Sequence, residues 1–133
     1  MKGRLLADGD AEARALVLAA PLSLWGGMDP ASGILVDARH PQRGVQLAGR
    51  VVVMPGVRGS SSSSSVLAEA ARAGCAPAAI LIGEVDLILA VGAAVAQELY
   101  GVRIPVVQLA PRDLARISDG ALLRVAGAEV TVR

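Results

Sequence analysis

The sequence predicts an α/β domain with a layered β/β/α arrangement, and three observations carry that prediction. Apolar runs at 50–54, 78–82 and 104–109 read as buried strands. Two segments of helical spacing, 64–73 and 87–99, lie between them, which is the alternation of parallel βαβ units. Strand-like segments at both ends add a second β-layer.

Taken in order, residues 12–18 close on the apolar Ala15-Leu16-Val17-Leu18 before Ala19-Ala20-Pro21 and read as an early strand. Residues 22–33 are punctuated by Gly26-Gly27, Asp29-Pro30 and Ser32-Gly33, a succession of turn dipeptides, and read as a loop. A short strand is predicted over 34–36, then a polar stretch over 37–49 that carries His40-Pro41. Val51-Val52-Val53-Met54, stopped by Pro55-Gly56, is the clearest buried strand. Leu67, Ala70 and Ala71 fall on one face of a helix over 64–73, closed by Gly74. After the strand at 78–82 and a turn at 84–86, the mostly apolar helix 87–99 ends at Tyr100-Gly101. Beyond the strand at 104–109 come a short helix over 111–117 and a β-hairpin, 121–125 with 129–132, around Ala126-Gly127-Ala128. With no internal repeat and no linker, the 133 residues are expected to form a single compact domain.

Composition excludes several functions. Trp25 and Tyr100 are the only rings besides His40 and there is no Phe, so the core is aliphatic and base-stacking on aromatic platforms is not expected. A net charge of +1 leaves no footprint for nucleic acid or an anionic membrane. One cysteine, Cys75, and one histidine, His40, permit neither a disulfide within the chain nor a zinc or iron–sulfur site built by it alone. A metal would come from a partner. The amino terminus lacks the pattern of a secretory signal, and the longest apolar stretch, around 87–96, is too short to span a bilayer, so a cytoplasmic protein is expected.

The chemistry is expected in the serine run. Ser60 to Ser65 enter through Arg58-Gly59, at the place where the strand at 50–54 turns into a helix. Composition alone reads such a run as a spacer. Here the strands on either side belong to one βαβ unit, so the run cannot separate two domains. It lacks the lysine of a phosphate-binding P-loop and the last glycine of a serine-hydrolase elbow. What remains is a loop that presents serine hydroxyls, the Arg58 guanidinium and helix N-terminal amides to an anion or a reacting carbon. Some of the serines are expected only to cap the helix and satisfy loop amides. His40 is expected at the surface or in a local hydrogen bond, Cys75 as a small core residue, and Asp29 and Asp37 as turn organisers. Trp25-Gly26-Gly27 reads either as a packed turn or as a subunit contact.

The motifs from Pro21 to Pro30 (PLSLWGGMDP), Arg39-His40-Pro41, Gly49 to Gly56 (GRVVVMPG), Arg58 to Ser64 (RGSSSSS) and Ala76 to Ile80 together resemble the small subunit of aconitase X. This family, also called the phosphomevalonate dehydratase small-subunit family, is the swivel-domain partner of a large dehydratase subunit, and the resemblance spans roughly residues 12–108. It implies the swivelling β/β/α fold, in agreement with the layered reading. It also implies that Gly59-Ser60-Ser61 supplies the base that takes the proton next to a substrate carboxylate, with Ser60 as that base. Iron or an iron–sulfur cluster on the large subunit would polarise the leaving hydroxyl, and this chain would bind no cofactor. Other aconitases place an arginine after the two serines where this chain has Ser62, so Arg58 is the alternative cation on chemical grounds. Arg58, Gly59, Ser61 and Ser62 are the expected substrate-binding residues. The implied function is a hydro-lyase subunit acting on a small hydroxy acid. The serine-rich loop looks closer to cis-3-hydroxy-L-proline dehydration than to phosphomevalonate dehydration. A non-catalytic binding or scaffold domain of the same fold is the reading from another class.

Overall fold

Residues 1–57 and 60–133 are described by a computed structural model. In chain order its elements are β1 (Arg4–Ala7), β2 (Asp10–Val17), β3 (Met28–Asp29), β4 (Ile34–Leu35), β5 (Val51–Met54), α1 (Ser63–Arg72), β6 (Ala79–Ile82), α2 (Leu87–Tyr100), β7 (Val106–Gln108), α3 (Pro111–Leu114), β8 (Leu122–Ala126) and β9 (Glu129–Val132). Seven strands form one sheet in the order β1-β7-β6-β5-β2-β8-β9, and β3 and β4 form a small ribbon apart from it.

The parallel core follows from the three apolar runs. β5 pairs with β6 in parallel, Val51 opposite Ala79 and Val53 opposite Leu81, and β6 pairs with β7, Ile80 opposite Val106. All four residues of β5 and of β6 are buried, as strands covered on both faces must be. The period of two then sorts them. Val52, Met54, Ile80 and Ile82 join Leu67 and Ala70 of α1 and Leu89, Ala93 and Ala96 of α2 in one cluster. Val51, Val53, Ala79 and Leu81 join Leu123 and Val125 of β8 and Val130 of β9 in the other. Each fully buried Leu or Ile contributes roughly 1.5–3 kcal/mol. The two clusters are the β/β and β/α interfaces of the expected three layers.

β2 makes the layering possible. Its first half, Asp10 to Arg14, pairs antiparallel with β8, and its last three residues, Ala15 to Val17, pair in parallel with β5. The chain thereby passes from one β-layer to the other within a single strand.

Most boundaries lie within two residues of expectation, and the departures have identifiable causes. β1 was not anticipated: two of its four residues are exposed, and it is recognisable only through its antiparallel pairing with β7. Residues 28–29 fall inside the expected loop but pair with Ile34 and Leu35 across the Asp29–Gly33 turn. The helix over 111–117 stops at Leu114, with Ala115 and Arg116 in a following turn.

Candidate functional site

The serine run leaves the C-terminal end of β5, beside the C-terminal end of β6, which is where open α/β sheets place ligands. Arg58 and Gly59 lie outside the described residues. The segment before them is pinned on two sides: Val57 forms a bridge with Leu22, and its amide donates to Glu84 Oε1 at 3.0 Å.

From Ser60 onward the backbone winds into α1. The amides of Ser63, Ser64 and Ser65 donate to the carbonyls of Ser60, Ser61 and Ser62 at 3.0, 3.4 and 3.1 Å. These amides are therefore used locally, which corrects the expectation that the first amides of the helix face an anion. The capping expectation is corrected too: Ser62 holds the N-cap position in helical conformation, and its side chain makes no capping bond.

The hydroxyls divide by environment. Ser63 is buried; its Oγ accepts from the Trp25 amide at 3.2 Å and lies 3.4 Å from Ser23 Oγ. Ser64 Oγ donates to the Ser61 carbonyl at 2.8 Å. Ser60 is half-buried and lines a narrow cleft with Leu22, Leu24, Val57, Ser63, Asp86, Ile88 and Leu89, with room for about one water. Ser61 is exposed and Ser62 half-buried. Asp86 brings a carboxylate to the same cleft; its Oδ1 accepts from the Leu89 amide at 2.8 Å and so caps α2. Sequence reasoning placed Asp86 in a turn and gave Glu84 and Ser63 no individual role. An aspartate three residues before an apolar helical position was the available signal for the cap.

Gly92 of α2 sets how closely the second helix approaches this loop. A Cβ there would lie 2.9 Å from the Ser64 carbonyl oxygen and 3.2 Å from Leu67 Cβ. The glycine thus lets α2 rest directly on the first turn of α1.

A roomier cleft of about 300 Å³ lies between the ends of β2 and β5 and α3, lined by residues such as Val17, Val53, Met54, Pro111 and Leu114. No titratable side chain lines it, so it offers no group to move a proton. Of these two, the Ser60 cleft is the one lined by hydroxyls and a carboxylate.

The remaining candidates resolve as follows. His40 is buried, its Nδ1 accepting from the Gln42 amide at 3.1 Å and its Nε2 lying 3.0 Å from the Ala20 carbonyl, so its role is the local hydrogen-bonding one. Asp29 and Asp37 organise turns: Asp29 accepts from the Ala31 amide and the Ser32 hydroxyl, and Asp37 from the Arg39 amide. Those two bonds hold the Asp29 carboxyl below its ordinary value, the Ala31 amide contributing most. Cys75 is not a core residue; it is half-buried, with Sγ 3.3 Å from the Ala31 carbonyl. Trp25 is 60% exposed, so the turn packs through the buried Gly27 against Ser23 and Leu22 and leaves Trp25 at the surface. Among the described residues no three His, Cys, Asp or Glu side chains gather as a metal site, and no helix is long and apolar enough to cross a membrane.

Comparison with known proteins agrees with this architecture. The family model for the aconitase X swivel domain matches residues 1–133. The chain is 45% identical over 126 residues to cis-3-hydroxy-L-proline dehydratase of Pseudomonas aeruginosa, covering 90% of this chain and 22% of that one. It is 38% identical over 125 residues to the phosphomevalonate dehydratase small subunit of Thermococcus onnurineus, covering 94% and 90% respectively. The crystal structure of holo aconitase X from Thermococcus kodakaraensis superposes with a TM-score of 0.88 at 35% identity, over 99% of this chain and 96% of that chain. The chain therefore spans about a fifth of the Pseudomonas relative but nearly all of the archaeal small subunit.

Proposed function

The chain belongs to the aconitase X swivel-domain family, and from that premise we propose that it is the small, swivel component of a two-component hydro-lyase. In this reading Ser60 takes the proton from the carbon next to a substrate carboxylate. The electron pair of that C–H bond forms the double bond as the hydroxyl one carbon further on leaves as hydroxide, and the proton taken by Ser60 is then passed on to it to give water. The observation that carries the reading is the position of Ser60. It lies at the end of a buried parallel strand, half-exposed in a cleft with Asp86, on a loop braced by Glu84, Ser63 and α2.

A serine hydroxyl in water is far too weak a base at neutral pH, so the site must be closed from solvent and held among fixed dipoles and cations before Ser60 can act. Arg58, Gly59, Ser61 and Ser62 are the groups proposed to hold the substrate, with the Arg58 guanidinium suited to a carboxylate. The described residues do not fit an iron–sulfur cluster, since the chain has one cysteine and no gathering of three ligands. Iron or such a cluster is accordingly assigned to a large subunit, and no step on this chain depends on it.

The proposed substrate is cis-3-hydroxy-L-proline, favoured by the serine-rich loop and by the 45% identity to a dehydratase of that name. Phosphomevalonate is the second reading, favoured by the match to nearly the full length of a phosphomevalonate dehydratase small subunit. The test is reconstitution with the large subunit and iron, followed by assay on both compounds. Turnover of cis-3-hydroxy-L-proline alone supports the first reading, and turnover of phosphomevalonate alone replaces it with the second. A complex inert on both would leave the scaffold reading standing.

A further inference from the structure

We infer that the apolar outer face of the first turns of α2, Leu87 to Val91, together with the Trp25 ring, is the surface on which the large subunit seats, an inference that rests on the function proposed above. α2 turns Leu89, Gly92, Ala93 and Ala96 inward. A surface helix ordinarily offers charged residues on its other side. This one has none from Leu87 to Gln97, and its single charged residue, the exposed Glu98, stands in the last turn. Instead Leu87 is 68% exposed, Val91 53% and Leu99 64%. The contrast with α1 is direct, because α1 carries the Glu69–Arg72 ion pair at its surface. Exposed apolar area grouped in this way marks an interaction site.

Two observations identify what covers it. Leu87, Ile88 and Val91 line one groove of about 240 Å³ with Ser61 and Ser64, so the apolar face runs directly into the serine run. Any partner that shields the serine run from water also covers this groove. The second observation is the Pseudomonas relative, in which the region like this chain is 22% of one longer polypeptide, so most of that chain is available to cover it. The uncharged lining of this groove fits an apolar protein face and does not fit nucleic acid or an anionic surface. Trp25 borders the same segment through the bond from its amide to Ser63 Oγ, and an exposed indole is a common interface anchor.

The test measures binding of the full chain to the large subunit by titration. Val91→Glu and Leu87→Asp are expected to weaken binding at least about 30-fold, and Trp25→Ala about tenfold. Both helix substitutions spare the fold: aspartate is favoured in a first turn, and glutamate is a better helix former than valine. Thermal melting confirms this by an unchanged midpoint. Val132→Asp, an exposed apolar position on β9, serves as the control and is expected to leave binding unchanged. If the wild type binds and the α2 variants bind equally well, the surface assignment is overturned while the functional reading stands. If the wild type does not bind, the functional reading itself fails. If the isolated chain is a dimer that Val91→Glu dissociates while large-subunit binding persists, the face belongs to a second copy and the inference is overturned.

Discussion

The Val57 amide donates to Glu84 Oε1 at 3.0 Å, and Gly56 makes room for the same carboxylate, which a Cβ at that position would meet at 2.6 Å. The turn after β6 thus grips the loop after β5 three residues before Ser60. Glu84→Gln retains an acceptor oxygen and is expected to leave turnover of the assembled complex near wild type. Glu84→Ala is expected to lower kcat by about tenfold to a hundredfold, the scale set by small misplacement of a reacting group. Hydrogen exchange at Val57 checks the cause independently: its amide loses protection in the alanine variant and keeps it in the glutamine variant.

Ser60→Ala removes the proposed base and nothing that shapes the fold. Turnover of the reconstituted complex is expected to fall by about 10²–10⁴, the range for general-base loss, with assembly intact by gel filtration. An active Ser60→Ala complex would move the base elsewhere in the run. The isolated 133-residue chain is expected to show no dehydration, since it cannot close its own site.

Gly92→Ala sets two effects against each other. Helix propensity favours alanine by about 1 kcal/mol. The added Cβ, however, meets a backbone oxygen of Ser64 at 2.9 Å, and forcing apart packed helices costs about 1–3 kcal/mol. The net expectation is a lower melting temperature with reduced turnover, because the shift falls on the first turn of α1. A stabilised, fully active variant would show that α2 does not set the position of the serines.

The Asp29 carboxyl is held below its ordinary value by the Ala31 amide and then by the Ser32 hydroxyl. A lowered native value means that the charged form stabilises the fold above the unfolded value, and that this contribution disappears as pH falls through the native one. Asp29→Ala is therefore expected to lower the melting temperature at pH 7. The gap to wild type narrows below about pH 4, where unfolded aspartate protonates. A gap independent of pH would assign the effect to turn geometry alone.

The layered core was legible because its signals are local and redundant: Val51 to Met54 and Ile80 to Ile82 are buried on both sides, and both helices end at glycines. β1 was not legible, since Arg4-Leu5-Leu6-Ala7 becomes a strand only by pairing with residues about a hundred positions away. The site was half legible. Ser60 stood out by its neighbours in sequence and the Asp86 cap on Leu89 had its spacing, whereas Glu84 and Ser63 act through contacts with Val57 and Trp25 that no spacing encodes. Cys75 was misassigned because a single cysteine after a helix carries no pattern that separates core from surface.

Met1 and Val130 exchange two backbone hydrogen bonds, 2.7 and 2.8 Å long, and Lys2 bridges Glu129. On a ribosome adding about 5–20 residues per second, Met1 and Lys2 wait about 6–26 s for the partners that hold them. The high contact order of the sheet places its closing step after β9 has emerged. Loss of β9 would release Met1 and Lys2 as well as one edge of β8, so a cut in this hairpin harms folding at two places in the sheet.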